Sequence, residues 1–176
     1  MCNLWVAQSW PMCNYQIALN VDSEGVLLMT EDRIERETLI AASLERVWSL
    51  VAEPGFWVAD EAEVAGSVAT EGASLVAKNP HLGEVWVRVE KVEPLTYVAY
   101  RWTSAFPGEE LRADNSTLVE FTLAQEGDKI RLRVIESGFA ALSASEELRV
   151  KAMRFNTSGW AMAFDAFKAR AEQASV

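Results

Sequence analysis

Hydrophobic and polar residues alternate through Ile34, Glu35, Arg36, Glu37, Thr38 and Leu39, the period of two that a half-buried strand requires. The period then lengthens. Leu44, Val47, Trp48 and Val51 recur at helical spacing behind Ser43, whose hydroxyl suits an N-cap, and Pro54-Gly55 ends the run. A second short helical turn is predicted near Phe56 to Glu61. Beyond it Gly66, Gly72 and Gly83 separate Val-rich stretches, which read as strands and turns. Val85, Val87 and Val89 share one face while Trp86, Arg88 and Glu90 take the other, and Val98, Tyr100 and Trp102 repeat the rule. The clearest hairpin joins Leu118 to Gln125 with Lys129 to Glu136 across Glu126-Gly127-Asp128, with Val119, Phe121 and Leu123 matching Ile130, Leu132 and Val134.

The last forty residues return to helical spacing. Ser143 and Glu146 have the spacing of a capping box, and the helix they open is predicted to run to about Glu172, roughly 40 Å at 1.5 Å per residue. Glu147, Lys151, Arg154, Ser158, Asp165, Lys168 and Glu172 form its polar face. Leu148, Ala152, Phe155, Gly159, Met162 and Ala166 form an apolar row that Trp160, Phe164 and Phe167 widen, so this whole face is expected to be buried. Gly159 costs about 1 kcal/mol relative to alanine inside a helix, which points either to close approach by the sheet or to room left open there.

Residues 1–28 carry no period, and Asp22-Ser23-Glu24-Gly25 punctuates them before Met29, a second possible start. They are expected to be a loosely tied N-terminal extension rather than an added strand or lid built on Trp5 and Trp10, leaving one domain over 29–176.

Size and charge narrow the function. A chain of 176 residues, 50% hydrophobic, supports one sizeable core. Acidic residues outnumber basic ones 26 to 16, and a net charge of -10 disfavours nucleic acid and anionic membrane surfaces as partners. No apolar run approaches the roughly 20 residues of a membrane span, and the first 30 residues lack the basic residue that opens a secretory signal, so a cytoplasmic location is expected. Cys2, Cys13 and the single histidine, His81, cannot make a four-ligand zinc set within one chain, and no other cofactor is implied. His81 follows Pro80 and precedes Leu82-Gly83, and reads as an exposed turn residue.

The order strand, two short helices, several antiparallel strands and one long terminal helix resembles the birch-pollen-allergen and steroid-transfer superfamily. Ile34-Glu35-Arg36-Glu37-Thr38-Leu39-Ile40, followed by Leu44-Glu45-Arg46-Val47-Trp48, is similar to the entry strand and first helix of homologues of the activator of the heat-shock-chaperone ATPase. Tyr100-Arg101-Trp102, Glu136-Ser137-Gly138-Phe139 and Asn156-x-x-Gly159-Trp160 resemble later segments of that family, and together the matches cover 31–172. The resemblance implies an α+β helix-grip fold, in which a curved antiparallel sheet of about six or seven strands wraps a long C-terminal helix and leaves an internal cavity often used for hydrophobic ligands.

Within such a fold Tyr100, Trp102, Phe121, Phe155, Trp160 and Phe164 are candidate contacts for a small, largely apolar or aromatic ligand, although the same rows would equally serve a filled core. Glu136 joins them as a candidate if it keeps the phase of Leu132 and Val134, which would turn a carboxylate inward. The simpler expectation places it at the rim or pairs it with Arg88 or Arg101. Three functions follow: ligand binding or sequestration, which the lack of a recognisable catalytic constellation favours; a polyketide cyclase or dehydratase using Glu136 or Tyr100 in acid–base chemistry; and an interaction module for a chaperone, which is less favoured.

Overall fold

The computed structural model describes residues 32–58, 69–79 and 81–173. Expectations for the N-terminal extension, including Cys2, Trp5, Trp10 and Cys13, fall outside these, as do those for Gly66 and Pro80. In chain order the elements are β1 (Arg33–Ile40), α1 (Leu44–Val51), α2 (Pro54–Val58), β2 (Ser74–Asn79), β3 (Gly83–Glu93), β4 (Tyr97–Trp102), β5 (Thr117–Glu126), β6 (Lys129–Ser137) and α3 (Glu146–Glu172).

The six strands make one curved antiparallel sheet in the order β1-β6-β5-β4-β3-β2, the helix-grip fold. The β5–β6 hairpin pairs Glu126 with Lys129, and Gly127 takes the left-handed conformation, φ 61, at the first position of the tight turn. Alternation places Val119, Phe121, Leu123, Ile130, Leu132 and Val134 inside, all buried. A bulge between Val89 and Lys91 shifts the register of β3 on β4, a feature that increases local twist in antiparallel pairs. Because β1 and β2 form opposite edges, the connection carrying α1 and α2 must cross from one side of the sheet to the other.

Ser43 caps α1, accepting from the backbone N–H of Arg46 at 3.2 Å. Pro54 does not merely end α1; it opens α2, a position that suits its fixed φ and missing N–H, so the second helix begins two residues earlier than its pattern suggests. The cap of α3 also moves. Ser145 rather than Ser143 accepts from the N–H of Leu148, and Ser143 instead donates its own backbone N–H to the carbonyl of Asp114 at 2.7 Å, so no Ser143–Glu146 capping box forms. At its other end α3 is tied to the start of the fold: Arg46 donates to the carbonyl of Arg170, and Glu172 accepts from the N–H of Ala41 and from Lys168.

The buried stripe of α3 is Ala152, Asn156, Trp160, Phe164, Phe167 and Ala171. The row through Phe155, Gly159, Met162 and Ala166 therefore lies one position around the helix from the sheet, with Phe155 46% and Met162 55% exposed. A nearly continuous apolar arc satisfies either rotation by period alone. Wide aromatic rings at 160, 164 and 167 fill the concave sheet better than the short side chains of Gly159 and Ala166, and packing decides.

Candidate functional site

The space between sheet and helix is occupied by an aromatic cluster with Trp57 of α2 at its centre. The Trp57 ring centroid lies 5.2 Å from Tyr100, 5.3 Å from Trp102, 5.7 Å from Phe121 and 5.5 Å from Trp160. Phe121 and Phe164 both meet Phe167 edge to face, extending the packing along α3. Such offset and edge-on pairs are the favoured contacts of aromatic rings. Tyr100, Phe121 and Phe164 thus belong to a filled core, where Tyr100 donates its hydroxyl to the carbonyl of Val51 at 2.7 Å and burial pushes its phenol up.

An opening remains at one end of the cluster. A cleft of about 270 Å³ lies between α3, Trp57 and the β2–β3 turn, with Trp57, Trp102 and Trp160 as its inner wall and Phe155, Gly159 and Met162 along its helical side. Its size is near the lower end of the range for small-molecule sites, roughly 300–1,000 Å³. A Cβ built on Gly159 would meet nothing within 4 Å, so this glycine is not there for close approach by the sheet; it leaves room. Phe155, expected in the interior, stands at the rim. His81 is an exposed turn residue as read from the sequence and borders the same opening, its backbone N–H held by Asn79 Oδ1 at 2.9 Å.

Behind the inner wall sits Glu136, fully buried. Its phase with Leu132 and Val134 does turn it inward, and neither Arg88 nor Arg101 reaches it: Arg88 pairs with Glu90 at 2.6 Å, and Arg101 lies 3.9 Å from the same carboxylate. Oε1 of Glu136 accepts from Trp102 Nε1 at 2.8 Å, Thr117 Oγ1 at 2.6 Å and Asn156 Nδ2 at 2.8 Å. Oε2 accepts from Trp160 Nε1 at 2.6 Å. Burial pushes the carboxyl above the ordinary carboxylate range, and these four bonds pull it back.

The expectation of a rim or arginine-paired carboxylate is thereby corrected. Tryptophan N–H groups, which hydropathy counts as apolar, supply half of the donors. Asn156 was visible only as part of a family-like segment, and its partner Ser104, 2.9 Å away, gave no signal. Trp57 also escaped notice, since the five residues of α2 are too few to show a period. A buried-phase carboxylate with tryptophans on facing elements was the usable clue.

Three of the four Glu136 donors, Trp102, Asn156 and Trp160, also line the cleft, whereas Glu136 does not. The carboxylate therefore sets the orientation of the wall and has no oxygen turned to a molecule seated in front of it. Among the described residues no three His, Cys, Asp or Glu side chains are grouped to hold a metal, and no helix is long and apolar enough to cross a membrane.

Comparison with known proteins agrees with this architecture. MLL2253 from Mesorhizobium loti superposes with a TM-score of 0.62 at 18% identity, covering 82% of this chain and 99% of that one. The Aha1 dimer from Colwellia psychrerythraea gives 0.58 at 14% identity, over 82% and 98% of the two chains. DynU16, from the dynemicin biosynthetic locus, gives 0.56 at 20% identity, over 80% of this chain and 46% of that one. These likenesses show a shared fold. No curated protein matches the chain in sequence. Residues 41–172 match the sequence profile described as Activator of Hsp90 ATPase homolog 1-like protein, a span covering most of the chain, and the protein belongs to that family.

Proposed function

We propose that the protein binds a small, largely apolar aromatic molecule in the cleft between α3, Trp57 and the β2–β3 turn. The observation that carries this reading is the inner wall of three tryptophans facing an opening of about 270 Å³ that Gly159 keeps free. A ring seated there gains aromatic contacts and loses apolar surface to water at about 25 cal/mol per Å². The ligand belongs at the end of the aromatic cluster. It does not belong in the middle of the grip, which Trp57 fills.

Binding is favoured over acid–base catalysis by the state of the two candidate groups. Both Glu136 oxygens are occupied by donors, and the Tyr100 hydroxyl is buried and engaged by Val51. Neither is placed to exchange a proton with a molecule in the cleft.

Calorimetric titration of bicyclic aromatic compounds into the native chain and into Gly159→Leu tests the proposal. The native chain is expected to bind at least one compound saturably, and the leucine, projecting into open space, to weaken binding more than it lowers the melting temperature. If no compound binds the native chain, the cleft is a surface irregularity only. A saturable rise in the turnover of a heat-shock-chaperone ATPase on adding the protein would instead favour an interaction module.

A further inference from the structure

Most hydrogen-bond donors of the inner cleft wall are already engaged. Trp102 and Trp160 spend their indole N–H groups on Glu136, and Asn156 Nδ2 donates to Glu136 Oε1 and to Ser104 Oγ. Asn79 Nδ2 donates to the carbonyl of Val58 at 2.7 Å, while its Oδ1 accepts from the N–H groups of His81 and Leu82. Trp57 Nε1 is buried and has no partner among the described residues. Among the described residues the donors of the wall are thus mostly spent, leaving the second N–H of Asn79 Nδ2 and the His81 ring at the exposed mouth.

An acceptor is left over as well. Among the described residues Asn156 Oδ1 takes part in none of the hydrogen bonds of that side chain, and Asn156 lines the cleft. Its orientation is chemically determined: the carboxylate oxygen of Glu136 accepts, so it must meet the NH₂ end of the amide, which leaves the carbonyl end for the other side. Resting on the reading of the cleft as a ligand site, we infer that the cleft selects aromatic molecules bearing a hydrogen-bond donor, phenols or aryl amines, with Asn156 as the residue that discriminates. An acceptor-only or anionic aromatic of the same size seated against Asn156 leaves that carbonyl unpaired and sets its own acceptor beside it.

The test compares 2-naphthol, 2-methoxynaphthalene and 2-naphthoate by calorimetry on the native chain and on Asn156→Ala. The native chain is expected to prefer 2-naphthol to the other two by about fivefold or more, the range of one neutral hydrogen bond, and the alanine variant to bind naphthol and methoxynaphthalene equally. Because Asn156 also holds Glu136, that variant can fail to fold. The side-chain amide resonance of Asn156 in ¹⁵N-labelled native protein supplies a second readout, expected to move with 2-naphthol and to stay still with 2-methoxynaphthalene. Equal affinities on the native chain, an amide resonance that moves alike with both, or a preference that survives in a folded Asn156→Ala, overturns the inference while leaving ligand binding in place. Failure of all three compounds to bind removes the ligand reading of the cleft and this inference with it.

Discussion

Trp160 on α3 and Glu136 on β6 meet through a 2.6 Å hydrogen bond from indole Nε1 to carboxylate Oε2, while the other three donors crowd onto Oε1. The two oxygens are therefore not equivalent. Glu136→Gln keeps an acceptor for the crowded side but turns an NH₂ against the Trp160 N–H, and is expected to cost about 1–3 kcal/mol in urea denaturation. Glu136→Ala strands all four donors, and should cost more than the glutamine variant, on the order of 3–5 kcal/mol.

Stability should also respond to pH through this group. Burial raises the Glu136 carboxyl from an ordinary value of 4.5. As pH rises past that value the unfolded chain releases its proton while the folded chain keeps it, so this group's contribution falls until pH passes the raised folded value. Glu172 works in the opposite direction, because the Ala41 N–H and Lys168 lower its carboxyl and its contribution is lost only as pH falls through that lowered value. Melting temperatures of the native chain and Glu136→Gln, followed upward from about pH 4.5, should converge, and parallel curves would contradict the assignment.

Trp57 permits a sharper test of packing against polarity. Its ring touches four others, yet its N–H is buried with no partner among the described residues. Trp57→Phe removes the stranded donor and keeps a ring, so stability should change little or rise. Trp57→Ala should cost about 3–5 kcal/mol through the cavity left in the cluster.

Gly159→Ala is expected to raise stability by about 1 kcal/mol, since the added methyl meets nothing within 4 Å and glycine is the poorer helix former. Thermal melts decide. A loss would show that the helix needs glycine for a reason other than room.

The strands and their faces were readable because alternation survives wherever one side of a sheet meets a core, as in Val85, Val87 and Val89 or Ile130, Leu132 and Val134. The helix was readable as a helix, but its rotation was not. Phe155 and Met162 compete with Trp160 and Phe167 for the interior, and a polar Asn156 in the buried stripe hides which row wins. The site was the least legible part, since its links join residues far apart in the chain: Glu136 with Trp102 across 34 positions, with Thr117 across 19 and with Asn156 across 20. Local period cannot report a partner that only the closed sheet supplies.

The first strand pairs with the last, Arg33 opposite Ser137 and Ile40 opposite Ile130, while α1 and α2 lead straight away from it to the far edge. During synthesis β1 therefore leaves the ribosome about a hundred residues before the strand it lies against, with only one buried face's worth of apolar side chains and no neighbour. Closing that gap involves one of the longest loops in the chain, and pairings of such separation slow folding relative to local contacts. A nascent chain halted before β6 would expose Ile34 and Ile40 as an unpaired strand, which makes the closing hairpin the step on which the whole grip depends.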